Sequence, residues 1–149
     1  MREEVYEYLH DYGFSAIEID EIEKRNENIY FTSVEEVNKN IKFLEEKYLE
    51  QEDIINTINN NPFMLTEKNN RLEELEAIYA SLNIDYESMI KIIKSNAKTY
   101  TISPVELLKI INYLKDKNCT TEVIRNLIIN NPKVIGMKFE DFEKAIRFN

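Results

Sequence analysis

The chain has 149 residues, of which 43% are hydrophobic and 32% charged, with only two glycines and three prolines. This length supports one domain with a sizeable core, and so few turn-forming residues argue against a sheet protein with many turns. The formal net charge is −9, and the single cysteine, Cys119, excludes an internal disulfide. We therefore predict an all-α protein.

The N-terminal segment is acidic from the start, so it differs from the basic and apolar layout of a signal peptide. No apolar run approaches the roughly 18 residues of a membrane-spanning helix, so we predict a cytoplasmic protein without membrane contact. The charge is uneven along the chain. Residues 1–67 contain 6 basic and 17 acidic groups, net −11, whereas residues 68–149 contain 13 and 11, net +2.

The sequence repeats with a period of 35 residues. Asn60-Asn61-Pro62 recurs as Asn130-Asn131-Pro132, and Ser95-Asn96-Ala97 lies halfway between them. Units 33–67, 68–102 and 103–137 align without gaps, and we call each set of matched positions a column. The apolar columns are Val37/Leu72/Leu107, Leu44/Tyr79/Leu114, Ile54/Met89/Ile124, Ile58/Ile93/Ile128 and Leu65/Tyr100/Ile135. The period predicts a stack of helical repeats.

The two ends of the chain continue the pattern in part. Leu9, Ile19 and Tyr30 fall on these columns, Phe14 matches Leu49, and Asn26 falls on the asparagine column formed by Asn61, Asn96 and Asn131, so residues 1–32 form a divergent first unit. Phe142, Ile146 and Phe148 match the first helix of a further unit, which predicts a capping helix over 138–149. All of these units are assigned to a single domain, 1–149.

Each unit is predicted to contain two helices, because its apolar residues follow i, i+3/i+4, i+7 spacing. Asp85 and Thr120 are good N-caps for the second helix, and Gly13 is expected to end the first helix of the first unit. Asn61-Pro62 and Asn131-Pro132 place an N-cap residue before proline, which should stop the second helix and start a third, short one.

Unit 103–137 resembles a repeat of the mitochondrial transcription termination factor (mTERF) family, in which a leucine-rich helix and a second Leu/Ile helix precede proline and two apolar residues. Residues 33–67 are similar through Asn-Asn-Pro-Phe-Met-Leu. The resemblance implies a right-handed solenoid whose units contain two helices and a short 3₁₀ turn. It also implies nucleic-acid binding or support of organellar gene expression.

No catalytic or cofactor motif is recognisable. The sequence lacks a glycine-rich phosphate loop, a paired-cysteine motif and a serine nucleophile elbow, and His10 is the only histidine. The acidic run Glu18, Asp20, Glu21 and Glu23 lacks the glycine turn of a calcium loop. We predict a protein that is not an enzyme and uses no cofactor or metal.

Two functions remain open from the sequence. In the first, the acidic N-terminal half binds the basic surface of a protein partner that handles nucleic acid. Its contact residues would be Glu3, Glu4, Tyr6, Glu7, Tyr8 and Glu18. In the second, residues 68–149 bind DNA or RNA directly. The contact residues would then be Lys91, Lys94, Lys98, Lys115, Lys117, Arg125 and Lys133. The oligomeric state is left open.

Overall fold

The computed structural model describes residues 1–47 and 49–146, and this part of the chain contains helices but no strand. The helices are α1 (Glu3–Tyr12), α2 (Ala16–Arg25), α3 (Val34–Glu45), α4 (Gln51–Asn60), α5 (Asn69–Ser81), α6 (Tyr86–Ser95), α7 (Pro104–Asp116), α8 (Thr121–Asn130) and α9 (Phe139–Ala145). Short 3₁₀ helices span Glu27–Phe31, Pro62–Thr66 and Pro132–Val134. The predicted all-α class is confirmed, and α1 to α8 form one helix pair in each predicted unit.

The apolar columns form the core. All fifteen members of the five columns are buried, from Val37 in α3 to Ile135 after α8. Tyr79 and Tyr100 meet edge-to-face with ring centroids 5.7 Å apart. In the capping segment, Phe142 of α9 is buried and contacts the ring of Tyr113 at 5.9 Å between centroids. The five predicted core columns are therefore confirmed within units 33–67, 68–102 and 103–137. In the predicted capping helix 138–149, α9 ends at Ala145, Ile146 is only half-buried, and Phe148 lies outside the described residues.

The second helices begin at side-chain caps. Asp85 accepts a hydrogen bond from the Ser88 amide at 2.7 Å, and Thr120 accepts one from the Val123 amide at 3.2 Å. Both predicted N-caps are confirmed. In the first unit Ser15 has the same role, since its hydroxyl accepts from the Glu18 amide at 3.1 Å. These bonds satisfy amides that the first helical turn leaves unpaired.

Three of the first helices, α1, α5 and α7, end near a column with left-handed backbone. Gly13 has φ of 131°, and the matched residues Asn83 and Asn118 have φ of 57° and 64°. Glycine and asparagine adopt this conformation at lower cost than other residues. The Gly13 amide donates to the carbonyls of Leu9 and His10, which confirms Gly13 as the end of α1.

The asparagine column joins consecutive repeats. The buried Asn26 donates from Nδ2 to the carbonyl of Pro62 at 3.0 Å, and Asn96 donates to the carbonyl of Pro132 at 2.9 Å. Both bonds span 36 residues. Asn131 lies in the same column but donates to Leu127 in its own helix. Asn61 and Asn131 occupy the predicted N-cap position before proline but make no side-chain cap bond, whereas the matched Asn26 and Asn96 connect one unit to the next.

The third segment differs in unit 68–102. After α6, the amides of Thr101 and Ile102 both donate to the Lys98 carbonyl at 3.0 Å, so the segment closes as a turn rather than a 3₁₀ helix. Ala97 occupies the position of Pro62 and Pro132. Proline is not required for the 3₁₀ form, since Glu27 has this position in the first unit.

Contacts within the chain divide it into two compact units, Met1–Asn69 and Asn70–Asn149. In the first, α1 packs against α2 and α3, and α3 packs against the 3₁₀ helix Pro62–Thr66. In the second, α6 packs against α8, and α7 packs against α8 and α9. The division falls close to the predicted junction at residues 67 and 68. The single domain and the right-handed solenoid stay predictions.

Candidate binding surfaces

The outer face of α1 is acidic and contains an exposed aromatic ring. Glu3, Glu4 and Glu7 are exposed, and Tyr6 among them is 39% exposed. Val5 and Leu9 occupy the opposite face and are buried. This alternation follows from the 3.6-residue period of the helix. Four of the six predicted protein-contact residues therefore form one accessible surface.

The other two predicted contact residues, Tyr8 and Glu18, have partners within the molecule. The half-buried Tyr8 donates its hydroxyl proton to Asn38 Oδ1 at 2.7 Å. Glu18 accepts from the Ser15 amide at 2.8 Å and from the Asn59 side chain. The bond from the Ser15 amide is the main cause that lowers the pKa of the Glu18 carboxyl. Both side chains hold helices in place.

Two exposed apolar side chains occupy columns that are polar or small elsewhere. Ile17 in α2 is 78% exposed, and Phe31 at the end of the first 3₁₀ helix is 81% exposed. The matched residues are Glu52, Glu87 and Glu122 for Ile17, and Thr66, Thr101 and Gly136 for Phe31. Neither residue was predicted as a contact from the sequence. Both could have been identified there, because each is a large apolar residue in a column that is polar or small in the other units.

Tyr30 lies beside Phe31 and breaks a core column. It is 47% exposed, whereas its matched residues are buried. Desolvation by burial, interaction with the Glu23 carboxylate, and the charges of Glu27 and Asp20 raise the pKa of the Tyr30 hydroxyl. An exposed aromatic ring here is surrounded by carboxylates.

A groove of about 640 Å³ lies next to Phe31, between the first 3₁₀ helix, α3 and the segment after the second 3₁₀ helix. Its lining includes Phe31, Glu36, Lys39, Asn40, Glu67 and Lys68. Asn40 is buried and donates from Nδ2 to the carbonyls of Leu65 and Glu67 at 3.0 and 2.9 Å. The groove has a polar base and an aromatic rim.

Among the predicted nucleic-acid contacts, Lys98 and Lys133 belong to neighbouring turns. Both are exposed and occupy the same column. The aliphatic part of Lys98 lies across Gly136, where an added Cβ would be 2.9 Å from Lys98 Cδ. Lys94 is exposed one turn earlier, at the end of α6. These three residues lie at one end of the helix pairs, in or beside the short segments that follow α6 and α8.

Three other predicted contacts lie at the opposite end, near the links within the pairs. Lys115 is exposed in the last turn of α7, and Lys117 follows it with its Nζ 5.6 Å from the centroid of the Tyr113 ring. Arg125 is half-buried and donates to the Leu82 carbonyl at 3.3 Å, in the link between α5 and α6.

Lys91 lies near the middle of α6. After the hydrogen bonds from Ser88, the charges of Lys91 and Arg125 help to lower the pKa of Asp85, the residue that caps α6. A ten-residue helix is about 15 Å long, so the predicted contacts are spread along the helix pairs rather than gathered in one patch.

A model of the mTERF family matches residues 30–149. The chain belongs to the mTERF family. mTERF proteins are nucleic-acid-associated helical-repeat proteins and are generally not enzymes. The helical repeats of this mTERF chain agree with the repeat architecture of the family. The match begins at Tyr30, so α1 and α2 lie outside it. A comparison with curated proteins finds no match.

Membrane-spanning helices and metal clusters are both absent from residues 1–47 and 49–146 of this mTERF protein. None of the helices there has both the length and the apolar character needed to cross a membrane. No group of three or more His, Cys, Asp or Glu residues in that part of the chain is arranged to hold a metal ion.

Proposed function

We propose that this mTERF protein is a non-catalytic, cytoplasmic binding module whose acidic N-terminal half engages the basic surface of a nucleic-acid-handling protein. The exposed apolar side chains carry the proposal. Tyr6, Ile17, Tyr30 and Phe31 are exposed within residues 1–67, a segment of net charge −11. Aromatic residues are enriched at protein interfaces, and an acidic surface favours a basic partner.

The charge of this half favours a protein over a nucleic acid as the direct partner. A surface that binds a phosphate backbone gains affinity by releasing counterions, which requires lysine or arginine at the contact. Residues 1–67 contain 6 basic groups against 17 acidic ones. The family relationship supports the second part of the proposal, that the partner handles nucleic acid, which the module would then recruit or occlude.

Affinity capture with chemical crosslinking tests the proposal. The α1 variant combines Glu3→Lys, Glu4→Lys and Glu7→Lys, all exposed. The matched control makes the same charge change at exposed positions of the other unit, with Glu73→Lys, Glu74→Lys and Glu87→Lys. We expect the wild type and the control to capture the same basic protein and the α1 variant to lose it. Equal capture by both variants, or no captured protein, would contradict the proposal.

Direct nucleic-acid binding is a second candidate, and the paired turns favour it. Lys98 and Lys133 are exposed in one column, on turns joined by the bond from Asn96 to Pro132. Lysines repeated with the period of the array are suited to successive phosphates. Lys94 at the end of α6 adds a third ammonium group on that side.

Fluorescence polarisation with duplex DNA, single-stranded DNA and RNA at low salt tests this candidate. We expect Lys98→Glu with Lys133→Glu to weaken binding and to reduce the slope of log K against log salt by about 1 for each phosphate that is no longer neutralised. Lys115→Glu with Lys117→Glu, at the opposite end, is the matched control. Absence of binding at tens of micromolar protein would remove the candidate.

A further inference from the structure

We propose that the groove beside Phe31 receives a single arginine side chain of the basic partner, with its guanidinium over the Phe31 ring and hydrogen-bonded to Glu36. This inference rests on the proposed function and specifies the part of the acidic half that selects the partner. It assigns Phe31 and Glu36 as residues that determine specificity.

Two departures from the repeat meet in this groove. Phe31 stands in a column of threonine and glycine, and Asn40 stands in a column whose other core members are Val5, Leu75 and Ile110. Both residues line the same cavity. An exposed ring at Phe31 and a polar side chain at Asn40 are both unlike the matched residues of the other units, so their meeting at one surface indicates a site that the repeat itself does not require.

Asn40 makes the base of the groove polar. Its amide donates to the carbonyls of Leu65 and Glu67, while an aliphatic residue in this position would leave both carbonyls without that donor. Thr32 and Thr66 also line the groove, and their hydroxyls are bonded within the chain to Asn28 and Asn26. The base of the groove is therefore polar and internally bonded, while the rim offers one large aromatic ring.

Arginine matches these groups better than lysine. Its planar guanidinium stacks on an aromatic face and donates in a fork to a carboxylate, whereas a lysine ammonium is a compact, strongly hydrated charge. Glu36 is exposed, and its Oε1 accepts one bond from the Ser33 hydroxyl at 3.2 Å. A carboxylate has two oxygens and about four acceptor positions, so further donors can bind there.

The charges of the groove favour one arginine rather than several. Lys39 and Lys68 line it together with Glu36 and Glu67, so the lining is close to neutral. A second cation in the groove would be repelled by those ammonium groups. Further basic residues of the partner would instead lie over the carboxylates around Tyr30, the residue that precedes Phe31.

Two peptides of equal charge test the inference on the full chain. One is Lys-Lys-Gly-Ser-Arg-Gly-Ser-Lys-Lys, and the other has lysine in place of the central arginine. Binding is measured by fluorescence polarisation, and backbone amide shifts are mapped by NMR. We expect the arginine peptide to bind at least about threefold more tightly and to shift amides at the groove, including Phe31 and Asn40.

Phe31→Thr installs the residue of the matched columns and should remove most of this preference. Phe31 is highly exposed, so the variant should fold. Phe63→Thr is the matched control, since Phe63 is 46% exposed in the second 3₁₀ helix and does not line the groove. Equal binding of the two peptides, or equal effects of the two variants, would overturn the inference.

The outcomes separate this inference from the proposed function. If the α1 variant loses the captured partner while Phe31→Thr retains it at full affinity, the groove assignment is wrong and the acidic-surface function stands. If a single-stranded oligonucleotide shifts the groove amides and the arginine peptide does not, the groove takes a base and the inference fails. If capture is unaffected by the α1 variant, the proposed function itself fails.

Discussion

Replacing Asn26 with alanine measures how much one asparagine contributes to holding two repeats together. The buried side chain makes three hydrogen bonds: Nδ2 donates to the Pro62 carbonyl at 3.0 Å and to Thr66 Oγ1 at 3.1 Å, and Oδ1 accepts from the Asn28 amide at 3.2 Å. A buried hydrogen bond contributes about 1 kcal/mol net, and a carbonyl left unpaired adds to the loss. We expect Asn26→Ala to lower the free energy of unfolding by about 3 kcal/mol.

Urea unfolding followed by far-UV circular dichroism measures this loss, provided that the dependence on urea is unchanged between variants. Asn131→Ala is the matched control, because Asn131 is exposed and donates to Leu127 within α8 rather than to the next unit. It should cost less than about 0.5 kcal/mol, as is usual for a surface substitution. Equal losses for the two variants would refute the reasoning, because the column would then act only at local helix ends.

Three further perturbations have definite expected results. Gly13→Ala should destabilise the chain by about 1 to 2 kcal/mol in urea unfolding, because φ is 131° and the new Cβ would lie 2.7 Å from Gln51 Nε2; an unchanged midpoint would contradict this. Burial and the bond to Glu76 raise the pKa of Tyr100, so stability should be complete below the unfolded tyrosine pKa of about 10 and fall as pH rises above it. Tyr100→Phe should make that fall shallower in urea midpoints between pH 8 and 11, and an identical fall would disprove the link. Thr120→Ala should cost about 1 kcal/mol by removing the cap of α8, and Thr120→Ser should restore most of it in thermal unfolding.

The sequence predicted the core because burial repeats with the chain. The matched positions Leu44, Tyr79 and Leu114 are buried in their respective units, so an apolar residue recurs there whatever its exact shape. The helix caps at Asp85 and Thr120 were predictable for a similar reason, since a cap bond is local and needs only the next three residues.

Features that depend on long-range geometry were not predictable in this way. An asparagine in this column can cap the following segment locally or bond to a distant carbonyl, and only the packed repeats show that Asn26 and Asn96 make the distant bond. The lysines were similarly ambiguous. Helical spacing places Lys91 and Lys94 on one helix, but it does not tell which end of the pair Lys115 or Arg125 will reach.

The acidic charge of the candidate surfaces on residues 1–32 could be predicted from the sequence, but their exposed apolar side chains were not predicted. Counting carboxylates identified the acidic half, while the exposure of Ile17 and Phe31 depends on columns in which they are the exception. The family match gives no information on α1 and α2, because it begins at Tyr30.

The bond from an asparagine to a carbonyl 36 residues later has a consequence for how such a chain can change in length. Because donor and acceptor are separated by one period plus one residue, duplicating a whole 35-residue unit recreates the donor, the acceptor and their spacing together. Adding or removing a few residues inside a unit displaces the carbonyl from its amide. Growth by whole modules is thus structurally neutral at this junction, and protein engineers can lengthen the array by copying a unit such as 103–137.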